Sequence, residues 1–162
     1  YQYAGALYLN ITNRCPVRCS YCIKYRWGWR FRGHAMRLQR EPSVREIIAA
    51  LRRRRVGRYR EVVFCGYGEP LLRYQVVAAV AGWLRSRYPG VRIRVNTNGL
   101  ASAALGKDVC PALQGKVDVV SVSMNARTSG RTPHCTERTL NTRWRVSSGS
   151  CSAARASFPA SS

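Results

Sequence analysis

Between Leu7 and about Asn125 the apolar positions change period in a regular order. Leu7, Leu9 and Ile11 alternate with other residues, which predicts a strand over 7–12. Pro42-Ser43 then opens a segment in which Val44, Ile47, Ile48 and Leu51 recur at i, i+3, i+4 and i+7, the spacing of an amphipathic helix. Glu61 to Cys65 (EVVFC) is a short apolar run ending at Gly66 and predicts a buried strand. Leu72, Val76, Val77, Val80 and Leu84 predict a second helix, closed by Tyr88-Pro89-Gly90. Val91 to Asn96 predicts a third strand before an Asn98-Gly99 turn. A third helix is expected from Ala101 to about Leu113, interrupted near Pro111. Val117 to Met124 completes the series as a fourth strand, with Val120, Val122 and Met124 alternating with Ser121, Ser123 and Asn125.

Strand, helix, strand, helix, strand, helix, strand predicts an α/β fold of βα repeats around a parallel sheet. Such sheets hold ligands at the carboxyl ends of their strands, and the residues best suited to chemistry here all follow a strand. In a barrel with outer helices, the Ser121–Ser123 face lines the interior; on an edge strand it faces solvent, and both readings stay open. After Asn125 the pattern stops. Residues 126–162 hold 13 Ser or Thr and 6 Arg, with Leu140 and Val146 the only aliphatics larger than Ala. A domain over 5–125 followed by a disordered or frame-shifted Ser/Thr/Arg-rich tail over 126–162 is the expectation.

Charge changes the picture less than its size suggests. The 162 residues carry 28 Lys or Arg against 7 Asp or Glu, a formal net charge of +21, while 46% are hydrophobic. A wholly disordered polycation is excluded by that apolar content. No apolar run is long enough to span a membrane, and Ala4–Ile11 is too short for a signal core. The basic surplus suits an anionic partner such as a nucleotide or nucleic acid, yet no base-reading motif accompanies it. Seven cysteines, three of them in eight residues, favour a metal or redox site in a reducing, cytoplasmic setting over a disulfide scaffold.

Those three form Cys15-Pro-Val-Arg-Cys19-Ser-Tyr-Cys22, a C-x3-C-x2-C run directly after the first strand. Three thiolates in one loop can face soft metal ions while leaving one coordination position open. A zinc site completed by His34 or Cys65 is the competing reading. The run resembles the signature loop of the radical S-adenosylmethionine (radical SAM) enzymes, with Tyr21 in the aromatic position before the last cysteine. The resemblance implies that Cys15, Cys19 and Cys22 bind three irons of a [4Fe-4S] cluster, and that the amino and carboxylate groups of SAM chelate the fourth.

Two further segments carry the same likeness. Gly66-Tyr-Gly68-Glu69-Pro70 resembles the family's "GGEP" motif at the SAM amino group, with Tyr67 as a departure. Glu69 is also placed to cap a helix N-terminus. Asn96-Thr97-Asn98-Gly99 resembles the "TNG" segment lining the SAM site. Tyr21, Gly66, Gly68, Glu69, Pro70, Asn96, Thr97, Asn98, Ser121 and Ser123 are the expected cofactor-binding residues. Within the family, the segments around Cys15, Gly66 and Ser123 look most like the small radical SAM proteins associated with TatD-type hydrolases. The resemblance, over about residues 5–125, implies a partial TIM barrel of six βα units, of which about four strands are present, as in a truncated product. It implies reductive cleavage of SAM to a 5′-deoxyadenosyl radical that abstracts hydrogen from a substrate, with flavodoxin or ferredoxin as electron donor. A glycyl-radical-type activase and a non-catalytic basic zinc- or cluster-binding module contacting nucleic acid are the alternatives.

Overall fold

A computed structural model describes residues 1–124 and 140–145. Its main sheet contains β1 (Gln2–Tyr3), β2 (Ala6–Leu9), β5 (Glu61–Phe64), β6 (Arg92–Thr97), β7 (Val119–Met124) and β8 (Leu140–Arg145) in that spatial order. The four inner strands β2, β5, β6 and β7 are parallel, as the alternating pattern predicted. Antiparallel pairings add β1 at one edge and β8 at the other. The connections carry α2 (Val44–Arg52), α3 (Tyr74–Arg87) and α4 (Ala101–Leu105). The long loop after β2 holds α1 (Ile23–Arg26) and a small hairpin, β3 (Arg30–Phe31) with β4 (His34–Ala35).

Period two along the strands explains the core. Leu7, Val62 and Ile93 stand in one cross-strand row, and Leu9, Phe64, Val95 and Val120 in the next. These rows pack on Ile47 and Leu51 of α2 and on Val77, Val80, Ala81 and Leu84 of α3. Fully burying one such side chain contributes about 1.5–3 kcal/mol, so this face decides the register. Ser43 caps α2 with a complete capping box: its hydroxyl accepts from the Glu46 N–H while the Glu46 carboxylate accepts from the Ser43 N–H.

Several expectations shift. The third helix is broken, as Pro111 foretold, into α4 and a 3-10 turn at Cys110–Leu113, with Gly106 ending α4 in the left-handed conformation. The strands β1, β3 and β4 are too short to show a period in sequence. Most of the expected tail lies outside the described residues. Its residues Leu140–Arg145 instead pair with β7, because that strand otherwise leaves an open row of backbone donors and acceptors. Among the described residues no helix is long and apolar enough to cross a membrane.

Candidate cofactor cavity at the carboxyl ends of the strands

The odd-numbered set on β5 and the even-numbered set on β6 turn away from the helices. Past the end of β5 this parity brings Cys65 beside Asn96, and both line a cavity of about 270 Å³ at the carboxyl end of the sheet. That volume lies just below the usual range of about 300–1,000 Å³ for small-molecule sites. Cys15, Cys19 and Cys22 form one wall, with Tyr21 between them. Gly66, Gly68 and Glu69 form a second wall, and Asn96, Thr97, Asn98 and Ser123 a third. Segments far apart in the chain therefore meet: the Asn98 side-chain amide donates to Cys15 Sγ at 3.5 Å across 83 residues.

The cysteine loop is held from below by short polar links. Asn10 and Asn13 donate to the carbonyls of Met36 and Leu38, each at 2.6 Å, which closes the base of the loop. Glu41 accepts from the Thr12 hydroxyl at 2.6 Å and from Arg14 Nε at 2.8 Å, with Arg73 Nε at 3.3 Å. Arg73 also donates to the carbonyls of Ile11 and Pro42. Cys22 N–H donates to the Cys19 carbonyl at 3.1 Å, and Cys22 stands at the N-cap of α1.

The two glycines serve this packing. A Cβ at Gly68 would lie 2.4 Å from the Thr12 carbonyl oxygen and 2.6 Å from that of Arg14. One at Gly66 would lie 1.9 Å from Asn10 Oδ1. Close approach of the loop backbone thus requires a missing side chain at Gly68, while at Gly66 it is the Asn10 side chain that fills the space of a Cβ. The Glu69 N–H donates to the Arg14 carbonyl at 2.8 Å, joining the second wall to the first.

Glu69 is only 2% exposed and its carboxylate faces three internal donors. Oε1 accepts from the Leu71 N–H at 2.9 Å and the Thr97 hydroxyl at 2.8 Å; Oε2 accepts from the Asn98 N–H at 2.7 Å. The bond from Leu71 makes Glu69 the cap of the 3-10 turn Pro70–Arg73, so the capping role read in the sequence is present. Burial nevertheless pushes its pKa up, with the bonds from Asn98, Leu71 and Thr97 opposing. A carboxylate offers about four acceptor positions, so one on Oε2 is left over, and Glu69 is among the residues that line the cavity.

Burial likewise raises the Cys15 thiol, against a backbone hydrogen bond from Val17 and the charge of Lys24. Cys65 is raised by burial too, with the Asn96 side chain as its hydrogen-bond partner. In the sequence Cys65 stood only as a possible completing ligand of a zinc site; strand parity is what reveals that it shares this cavity. Asn96 Oδ1 is buried with no partner among the described residues. Leaving such an acceptor bare costs about 1–3 kcal/mol, so a donor on a bound group would be accommodated there.

Not every expected residue reaches the cavity. Ser121 is buried one pair deeper on the same face as Ser123, and Pro70 is buried at the start of its turn; neither lines the wall. His34 is exposed on β4 with its ring near Tyr1, away from the thiols. Among the described residues, no three His, Cys, Asp or Glu side chains gather as closely as one metal ion requires.

Against known proteins, the family model described as "Radical SAM superfamily" matches residues 9–146. The chain belongs to the radical SAM superfamily. It is similar to the proteins named GTP 3′,8-cyclase 2 of Mycobacterium bovis and Mycobacterium tuberculosis, each 33% identical over 123 residues. It is also 30% identical over 118 residues to the GTP 3′,8-cyclase of Paenarthrobacter nicotinovorans. These alignments take in 76% and 73% of this chain but only 32% and 31% of the relatives, so the chain spans about a third of their length. No solved structure matches the chain. Radical SAM proteins as a superfamily use a [4Fe-4S] cluster and SAM, and the donor set fits that pair. Three thiols on one wall suit a cluster that takes one cysteine per iron, and the carboxylate and bare amide oxygen opposite suit an ammonium-bearing ligand.

Proposed function

We propose that this chain holds a [4Fe-4S] cluster through Cys15, Cys19 and Cys22, binds SAM beside it, and initiates radical chemistry on an anionic, nucleotide-like substrate. The observation that carries the reading is the meeting of the thiol loop with the Glu69 and Asn96–Asn98 segments around one cavity. When bound, the cluster and SAM supply one-electron reductive cleavage to methionine and a 5′-deoxyadenosyl radical.

The chain's own residues bind, orient and shield. The three thiols lose their protons on taking iron, so the raised Cys15 pKa makes loading easier as pH rises. The remaining Oε2 position of Glu69 accepts from the SAM ammonium, and Thr97 and Asn98 keep that carboxylate aimed. Asn96 Oδ1 accepts a donor from the ligand, and the Ser123 hydroxyl offers a further polar contact. Tyr21, Val17 and Ile23 present carbon surface that limits water at the thiols. A flavodoxin or ferredoxin delivers the electron, and a reducing cytoplasm keeps the thiols free. A nucleotide-like substrate is supported by the relatives' names and by the surplus of arginine.

Anaerobic iron and sulfide reconstitution followed by dithionite and SAM tests this. 5′-Deoxyadenosine should form; Cys19→Ala should lose both the cluster absorbance and the product, whereas Cys110→Ala should keep both. A protein that stays free of iron and binds one zinc tightly would overturn the proposal.

A further inference from the structure

The loop that carries the cysteines also builds a second surface. Residues 1–40 contain eight Arg or Lys and no Asp or Glu, together with eight of the chain's sixteen aromatic residues. Such a density of rings would normally be buried. Here Trp27 is 51% exposed, Tyr25 49% and Tyr3 42%. Isolated exposed rings are ordinary, but Tyr3 and Trp27, joined through Phe31 on a charged face, mark an interaction site.

The rings and guanidinium groups interleave. Trp27 stacks on Phe31 with centroids 5.8 Å apart, and Tyr3 meets Phe31 edge-on at 6.3 Å. Arg32 lies over the Tyr3 ring at 4.6 Å, Arg18 over Tyr25 at 5.5 Å, and Arg37 over Trp29 at 5.5 Å. Tyr3, Trp27, Arg30, Phe31 and Arg32 line an open groove of about 530 Å³. The hairpin fixes this arrangement: Arg32 and Gly33 both have positive φ, the geometry of a type I′ turn, which puts Arg32 at its tip. Arg18, Arg26, Arg30, Arg32 and Arg37 are exposed and make no ion pair among the described residues. Their charge is therefore available to a partner. The face adjoins the thiol cavity, since Trp29 packs edge-on against Tyr67 at 5.8 Å and Tyr67 lines that cavity.

We infer that this face docks a single-stranded nucleic acid segment and leads it to the mouth of the cysteine cavity. Unpaired arginines neutralise successive phosphates while Trp27, Tyr25 and Tyr3 offer ring faces to bases. A duplex keeps its bases stacked inside and cannot use the rings. An acidic protein would use the charges but gain little from exposed ring faces. The docking surface does not depend on the cluster, so it stands or falls separately from SAM cleavage.

The test is fluorescence anisotropy of a labelled 12-nucleotide RNA, and of the DNA of the same sequence, with the 162-residue chain before and after cluster reconstitution. Binding should favour both single strands over the duplex. Trp27→Ala should weaken it about tenfold and Trp27→Phe should restore most of it, since stacking needs only a ring. Arg32→Ala should lower the slope of log affinity against log salt by about one, whatever the sequence. Arg87→Ala, on α3, should leave the Trp27-dependent part unchanged, and matching far-UV spectra would exclude misfolding as the cause. Equal affinity for duplex and single strand would overturn the proposal, as would a Trp27→Ala chain that binds like the parent. Displacement of the RNA by flavodoxin at equal concentration would also overturn it and assign the face to the electron donor. Failure of binding while 5′-deoxyadenosine still forms would refute the docking surface and leave the cofactor reading intact.

Discussion

Replacing Glu69 by Gln removes one acceptor oxygen from a carboxylate that uses both. In the native chain Oε1 takes two donors and Oε2 takes the Asn98 N–H at 2.7 Å. The amide can keep its oxygen toward Leu71 and Thr97 only by aiming its NH2 at the Asn98 N–H, donor against donor. Turning it the other way strands the Leu71 N–H. Either arrangement loses a charge-assisted bond and leaves a buried donor bare, a loss of about 2–3 kcal/mol before relief of the buried charge is counted. A net destabilisation of about 2 kcal/mol at neutral pH follows, which in a chain of this size lowers Tm by about 4–8 °C. Urea unfolding of the two chains, repeated across pH, measures it. Burial raises the Glu69 pKa above its ordinary 4.5, so its contribution is fullest below that value and declines as pH rises through the folded pKa. The gap between Glu69→Gln and the native chain should therefore be widest below pH 4.5 and narrow as pH rises through the folded pKa. A gap under about 0.5 kcal/mol at neutral pH, the scale of a bland surface change, would refute the reasoning. A gap that widens with rising pH would do the same.

Gly68→Ala should destabilise the chain by about 2–3 kcal/mol and impair iron loading, because its Cβ would strike the carbonyls of Thr12 and Arg14 at the root of the cysteine loop. An unchanged urea midpoint would refute it. Glu41→Gln should cost about 1–2 kcal/mol, since its partner Arg14 is largely exposed and screened while Arg73 and Thr12, its other partners, are not. Burial opposes ionisation of Glu41, but hydrogen bonds from Arg14 and Thr12 outweigh it and hold the pKa below 4.5. That contribution is present above pH 4.5 and lost as pH falls through the folded value, so thermal melts of the two chains should converge in acid and in high salt.

The elements that could be read in the sequence are those whose apolar spacing has room to repeat. The helix containing Ile47 and Leu51 packs with the face its period predicted, and the segments holding Val62–Phe64 and Ile93–Val95 form the strands expected of them. Two-residue strands such as Arg30–Phe31 have no period to read. The pairing of Leu140–Arg145 arises from the open edge of β7, which no residue in that polar segment announces. At the cavity, the thiol loop, Gly68-Glu69 and Asn96–Asn98 were legible as motifs. Ser121 and Pro70 were expected at the wall and are buried behind it, because a motif marks a segment and not the depth of each side chain.

By itself the sequence determined the order of βα units, the three closely spaced thiols, and a carboxylate and an Asn-Thr-Asn run at strand ends. Those properties are local: period, turn chemistry and spacing decide them within a few residues. Only the tertiary structure decided that Cys65 faces the cavity, that Glu69 spends three acceptor positions internally, and that Gly68 is demanded by the Arg14 and Thr12 carbonyls. It alone showed that rings and arginines of one loop share an exposed face. Each of these depends on how strands far apart in the chain align in the sheet, and on the hydrogen bonds and burial that alignment creates.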